Sequence, residues 1–200
     1  MLLHDRLAGY RLLLASQSPR RQELMHGCGL PFETAPKYHV DEIYPDTLQP
    51  DEVPEYLSQL KSRAFPRPLL PHEIVVTADT VVIAGGAILG KPADRDDAVR
   101  MLRMLSGAAH RVVTGVTLRS AEREKTFSAV SEVVFRALRQ EEIDYYVDTF
   151  RPYDKAGAYG IQEWIGYAAI SRIEGSFYNV MGLPVQRLYT ELEDFIKISN

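Results

Sequence analysis

Two hundred residues are enough for one domain spanning residues 1–200, or for two small lobes sharing a core. At that length a chain buries roughly 70% of its unfolded surface and needs no staples. A net charge of −4 and a single cysteine, Cys28, argue against a general nucleic-acid binder, a disulfide framework and a thiolate zinc site. No apolar run approaches the ~20 residues of a membrane span, and MLLHDRLAGY is too polar for a signal peptide. The expectation is therefore a soluble cytoplasmic protein with no membrane and no stable nucleic-acid partner.

In chain order, the run RLLLAS from Arg11 reads as a short buried strand. SQSPRRQELMHGCG follows it. Ser18 suits an N-cap and Pro19 the first helical position, and Gly27 and Gly29 stop the helix. A strand, a tight turn and a helix start make an anion site, because the first-turn N–H groups are unsatisfied and the dipole is positive there. Arg20 and Arg21 sit in that first turn, where cations oppose the dipole and a capping box would place Glu or Gln at position 21. Two broken local rules at one spot point to function; an arriving phosphate would meet both guanidiniums and the backbone N–H groups.

Phe32 to Ala35 reads as a second short strand, and the polar, proline-containing stretch after it as a loop carrying Asp41 and Glu42. Val53 to Phe65 has the helical stripe Val53, Tyr56, Leu57, Leu60 and Ala64, with Lys61 and Arg63 beside it. Next comes IVVTADTVVI, Ile74 to Ile83, a continuous apolar run of the kind buried on both faces. Its one charge is Asp79. Burying a lone carboxylate costs several kcal/mol unless it is paired or holds a metal, so Asp79 needs an opening or a cationic partner.

Gly85-Gly86 reads as a hairpin turn that brings Ile88 and Leu89 back along Val81 to Ile83. GGAILGKP matches the start of a phosphate-binding loop, but Pro92 follows Lys91 where a Ser or Thr is required, so the match fails. The hairpin instead allows Lys91 to approach Asp79. Asp94 to Leu105 is helical and stops at Ser106-Gly107; His110 falls in the loop after it and is read as a structural residue. Arg111–Arg119 and Lys125–Arg136 read as paired antiparallel strands. Gln140 to Phe150 is a helix ended by Pro152. DKAGAYGIQEW follows as a glycine loop flanked by Asp154, Lys155 and Gln162, then a strand from Ala168 to Ile173. EGSFYNVMGLP reads as a second loop, and Val185 to Ile198 as an amphipathic helix. The order predicts an α/β fold: a mixed twisted sheet with flanking helices and two lobes around a cleft.

Arg20, Arg21, Lys61 and Lys91 supply positive charge, and Asp79 and Glu42 supply carboxylates. Cations with an anion-friendly helix start suit a polyphosphate. Carboxylates beside a polyphosphate suit Mg2+ or Mn2+, which prefer oxygen ligands. Metal-assisted hydrolysis of a phosphoric anhydride is the leading reaction class.

The stretches LASQSPRRQEL, Asp41-Glu42 with the later Lys61, ADTVV, LGKP, LSGAAHRVVTGV, DKAGAYGIQ and EGSFYNVMGLP run in order from Leu14 to Pro184. Together they resemble the Maf nucleoside triphosphate pyrophosphatases, also described as septum-formation inhibitor proteins. The resemblance implies a fold like that of the inosine triphosphate pyrophosphatases. It also implies a cytoplasmic, usually homodimeric enzyme that cuts a nucleotide between its α and β phosphates. Asp79, Glu42, Lys61 and Lys91 would be catalytic, with Asp79 and Glu42 holding the metal or orienting water. Ser16, Ser18, Arg20, Arg21, Thr80 and Gln162 would bind substrate. Gln17, Glu163 and Phe177 depart from residues frequent at those places.

The family has two branches. Arg20 directly after Ser18-Pro19, Thr80 after Asp79 and Gln162 after Gly160-Ile161 resemble the branch that hydrolyses dTTP and UTP, not the one that prefers 7-methyl-GTP. Gln162 both donates and accepts, so it suits the N–H and one carbonyl of a uracil or thymine. The competing reading is a regulatory binding protein of cell division with incidental catalysis. A deaminase or zinc hydrolase lacks the metal-ligand spacing it needs.

Overall fold

A computed structural model describes residues 2–197. In chain order the helices and strands are α1 (Leu3–Arg6), β1 (Arg11–Leu14), α2 (Pro19–Gly27), β2 (Glu33–Thr34), α3 (Val53–Arg63), β3 (Glu73–Ala84), β4 (Ala87–Leu89), α4 (Arg95–Leu105), β5 (Ala109–Arg119), β6 (Glu124–Phe135), α5 (Gln140–Phe150), α6 (Trp164–Ala169), β7 (Ile170–Glu174), α7 (Phe177–Met181) and α8 (Val185–Lys197). The strands form one sheet in the order β2-β1-β3-β5-β6-β7, with β4 pairing to β3 off that path. β1 runs parallel to β2 and β3, whereas β4 is antiparallel to β3 and β7 to β6. The sheet is mixed and carries flanking helices, as the sequence order predicts. No helix among the described residues is long and apolar enough to cross a membrane.

The chain divides into two compact units, and the divisions fall inside strands: between Asp79 and Thr80 in β3, between Val113 and Thr114 in β5, and between Ala129 and Val130 in β6. The first unit holds the residues up to Asp79, Thr114–Ala129 and those from Gly182 on. Its apolar centre follows from β1, whose Leu12, Leu13 and Leu14 are buried between two parallel neighbours. The amphipathic α8 turns Leu188, Leu192, Phe195 and Ile196 inward. Its polar side reaches back to α1, where Arg6 pairs with Glu193 at 2.8 Å.

In the same unit α3 is fixed to the sheet by polar rungs. Thr77 donates to the Ser58 carbonyl at 2.7 Å, and the Ser58 and Thr117 hydroxyls meet at 2.8 Å. Gly115 of β5 allows this approach: a Cβ there would stand 2.3 Å from the Pro54 carbonyl carbon. Any side chain at position 115 would push α3 off the sheet.

The second unit holds Thr80–Val113 and Val130–Met181. Its hairpin turns on Gly85 (φ 57°) and Gly86 (φ 79°), with Ala84 opposite Ala87. Two adjacent residues at positive φ are what a tight two-residue hairpin demands, and glycine supplies them without strain. Asp94 caps α4 by accepting the Asp97 N–H at 2.9 Å. Arg95 then binds Asp148 at 2.7 Å and Asp144 at 2.9 Å, tying α4 to α5.

Several expectations need correction. His110 lies within β5, not in a loop; its Nε2 is 2.8 Å from the Tyr159 hydroxyl, and burial pushes its pKa down to about 4. The strand expected from Ala168 begins at Ile170, because residues 164–169 are helical. Gly166 permits that turn, since a Cβ there would collide with the Ile161 carbonyl oxygen at 1.7 Å. The loop EGSFYNVMGLP contains α7, a five-residue helix too short to show periodicity. Nothing in the sequence pattern predicts α1, a helix of four residues. The expected last helix residue, Ile198, lies outside the described residues.

At the start of β3, Glu73 is wholly buried in side chain yet well partnered. Arg67 donates to both carboxylate oxygens at 2.6 and 2.9 Å, Arg11 at 3.0 Å and the Leu70 N–H at 3.0 Å. The Arg67 hydrogen bonds lead in pulling its pKa from 4.5 down to about 2. A depressed carboxylate contributes stability that is complete above its ordinary pKa and is lost as pH falls through the folded value. Glu73→Gln is expected to lower the urea midpoint at pH 7, with the gap to wild type closing between pH 4.5 and 2. A gap independent of pH over that range would contradict the account.

Candidate active site

Asp79 is 8% exposed, near the middle of β3. Its partner is Lys61, whose Nζ lies 2.6 Å from Asp79 Oδ1. The same Nζ lies 3.0 Å from Glu42 Oε1, so one ammonium joins two carboxylates from distant parts of the chain. Periodicity explains the meeting. Thr77 and Asp79 share one face of a strand, and Ser58 and Lys61 share one face of a helix. The Thr77–Ser58 rung therefore sets the next rung, Asp79–Lys61.

Glu42 comes from the long polar segment between β2 and α3, and its side chain is 53% exposed. The segment is tied down on the approach to Glu42. The Tyr38 hydroxyl donates to the Lys61 carbonyl at 2.8 Å, and its ring meets Phe65 edge-on at 5.7 Å. Burial pushes the Tyr38 pKa up to about 12. Sequence reasoning missed Tyr38 because nothing local distinguishes a tyrosine in a polar loop.

At the start of α2, Ser18 occupies the N-cap and Pro19 the first turn, which contains no acidic residue, and no hydrogen bond from the Ser18 side chain caps it. Ser16 Oγ accepts the Ser18 N–H at 3.3 Å and an Arg21 N–H at 3.4 Å. Arg21 also donates to the Ala78 carbonyl at 2.9 Å and the Gly182 carbonyl at 2.8 Å. It thereby links the residue before Asp79 to the chain after α7. Burial, its largest influence, lowers the Arg21 pKa, and the charge of Asp79 opposes that shift. Arg20, next to it, is half-buried.

Thus the first unit holds Ser16, Ser18, Arg20, Arg21, Glu42, Lys61 and Asp79. Thr80, Lys91 and Gln162 belong to the second. Lys91 is exposed, two residues past the end of β4, and the ion pair of Asp79 is with Lys61. Thr80 is half-buried. Gln162 lies in the glycine loop, with its Oε1 buried and without a hydrogen-bond partner. The loop's backbone is held under strain at Ala158, a non-glycine residue at φ 58°. Such a conformation costs about 1–3 kcal/mol and persists where surroundings impose it. Gly157, at φ 66°, donates to the Gly90 carbonyl at 3.0 Å.

The donor set at Lys61 is all oxygen: two carboxylates. Among the described residues no group of three or more His, Cys, Asp or Glu side chains converges on an ion position. A pair of carboxylates fits Mg2+ or Mn2+, since Mg2+ is usually held by one or two carboxylates with substrate phosphates and water completing its shell.

Comparison with known proteins adds to this picture. The family described as Maf-like protein matches residues 11–195. A Porphyromonas gingivalis protein named dTTP/UTP pyrophosphatase is 54% identical over 96% of this chain and 97% of its own length. A Phocaeicola vulgatus protein of the same name is 50% identical over 94% of this chain and 98% of its own. One from Bacteroides thetaiotaomicron is 53% identical over 92% and 95%. A solved dITP/XTP pyrophosphatase from Mycobacterium abscessus, 13% identical, overlaps 64% of this chain and 75% of its own with a TM-score of 0.38, a likeness too slight to build on. The family match spans nearly the whole chain and takes in every residue of the Asp79–Lys61–Glu42 cluster: this chain belongs to the Maf-like protein family.

Proposed function

We propose that this protein is a nucleoside triphosphate pyrophosphatase that hydrolyses dTTP and UTP to the monophosphate and pyrophosphate. The observation that carries the reading is the Asp79–Lys61–Glu42 cluster, with Lys61 Nζ 2.6 Å from one carboxylate and 3.0 Å from the other. Three relatives of about half identity, each named for that activity, support it. The reading includes a cytoplasmic homodimer, an expectation from family resemblance.

In this reading Asp79 and Glu42 divide two tasks, holding Mg2+ or Mn2+ and orienting the attacking water. When bound, the metal would polarise the phosphate oxygens and offset their charge. Lys61 keeps the paired carboxylates from repelling one another, and with Lys91 it offsets charge that develops on the phosphates. Ser16, Ser18 and Arg20 surround a helix start whose N–H groups suit the phosphate tail. Arg21 acts beside them by holding the chain on both sides of the site.

Asp79→Asn preserves shape while removing charge, and it should lower kcat by about a hundredfold or more, the usual scale for one electrostatic group. Thermal unfolding should show the fold retained, and near-normal turnover would remove Asp79 from the mechanism.

Activity on dTTP should vanish in excess chelator and return with Mg2+ or Mn2+, zinc not being required. Full turnover in chelator would leave phosphate neutralisation to the lysines and arginines alone.

Base choice is assigned to Gln162 and Thr80. A buried amide oxygen without a protein partner is costly, and a ligand N–H would satisfy it. Measured kcat/KM should be higher for dTTP and UTP than for GTP, ATP and 7-methyl-GTP. Gln162→Ala should reduce the dTTP advantage by about tenfold or more. A wild-type preference for 7-methyl-GTP would overturn the pyrimidine reading.

A further inference from the structure

We infer that Glu163 is a positioning residue for base recognition: together with Lys155 and Tyr146 it closes the turn that presents Gln162. This rests on the dTTP/UTP reading above and adds to it residues outside the proposed substrate contacts.

Tyr146 of α5 is completely buried. Its hydroxyl donates to Glu163 Oε2 and accepts the Gly160 N–H at 3.0 Å. The other oxygen of Glu163 lies 3.1 Å from Lys155 Nζ. That lysine side chain is only 10% exposed, and Glu163 only 19%. Asp154, the second carboxylate on Lys155 at 2.7 Å, is 64% exposed and correspondingly screened by water. Glu163 is thus the enclosed counter-charge of a buried ammonium, which makes both its charge and its place matter.

The network fastens the two ends of one turn. The Glu163 N–H donates to the Gly160 carbonyl at 3.0 Å, while the Glu163 carbonyl accepts the Gly166 N–H at 2.9 Å. The Tyr146 hydroxyl bridges the Gly160 N–H to the Glu163 carboxylate. Gly160 also lies flat against the ion pair. A Cβ at that position would stand 3.0 Å from Glu163 Cδ and 3.1 Å from Lys155 Cε. Only Ile161 and Gln162 lie between the two fastened residues, and Ile161 is 4% exposed. Gln162 therefore has a fixed backbone on either side and a buried amide oxygen with no partner. An acceptor held that way is prepared for the ring N–H of a uracil or thymine, and a small error in its placement forfeits the contact.

The experiment is steady-state kinetics on dTTP and GTP for wild type, Glu163→Ala, Glu163→Gln, Gln162→Ala and the Glu163→Ala/Gln162→Ala double variant. Glu163→Ala should raise KM for dTTP about tenfold, change kcat by less than about threefold, and shrink the dTTP-over-GTP preference. Glu163→Gln, whose amide oxygen can still accept from Tyr146 but which leaves Lys155 without its enclosed counter-charge, should keep more of that preference than Glu163→Ala while lowering the unfolding temperature. The double variant should discriminate no worse than Gln162→Ala, because both substitutions remove one device. If Glu163→Ala does not fold, Tyr146→Phe, which deletes the bridge but leaves the ion pair, should show the same loss of preference. Equal losses on dTTP and GTP in the Glu163 or Tyr146 variants, with Gln162→Ala still losing preference, would overturn this inference and leave the substrate reading intact. An unchanged preference in Gln162→Ala would overturn base reading by Gln162 and this inference with it.

Discussion

The first unit depends on a carboxylate in a place where apolar chemistry rules. Asp79 stands in a strand whose other residues are almost all buried, and Lys61 neutralises it at 2.6 Å. Removing Lys61 would leave the Asp79 charge uncompensated, a change that typically costs about 3–5 kcal/mol, whereas removing the Asp79 charge leaves Lys61 its second carboxylate, Glu42, at 3.0 Å. The surrounding architecture serves that pair. Gly115 lets α3 approach the sheet, the Thr77 bond to the Ser58 carbonyl and the Ser58–Thr117 hydroxyl pair fix its height, and the Asp79–Lys61 rung follows. Arg21 holds the Ala78 carbonyl immediately before Asp79, and Tyr38 holds the Lys61 carbonyl. A carboxylate placed in a buried strand and held beside a lysine by so many contacts has no evident packing role, which is why it is assigned to chemistry.

The sequence patterns that depend on short-range physics were legible. The apolar run of β3, the glycine pair of the hairpin and the Ser-Pro start of α2 each name their own conformation, and the structure has each of them. Elements decided by tertiary contact were not. α6 needs Gly166 beneath the Ile161 carbonyl, a steric fact invisible in a run of aromatic and β-branched residues. α7 is too short for any periodic signal.

The same distinction holds for the site. Asp79 declared itself as a lone charge in an apolar strand that needs an opening or a cationic partner, and the hairpin pointed to Lys91 as the cation able to approach it. Helix α3 and its register against Thr77 choose Lys61. The two arginines after Pro19 looked alike as phosphate ligands. In the structure Arg21 spends hydrogen bonds on two main-chain carbonyls, a role that no helix-dipole argument contains. Glu163 was visible only as a departure from the family pattern. Its meaning depends on Tyr146 from α5, which lies 17 residues away in the chain.

The central claim is that these groups hydrolyse a pyrimidine nucleoside triphosphate between its α and β phosphates. The direct measurement is product analysis: purified protein with dTTP and Mg2+, the nucleotide and phosphate products separated and quantified over time. The account predicts dTMP and pyrophosphate in equal amounts from the earliest points, with no dTDP. Accumulation of dTDP with inorganic phosphate, or no turnover of dTTP or UTP by folded protein, would contradict it.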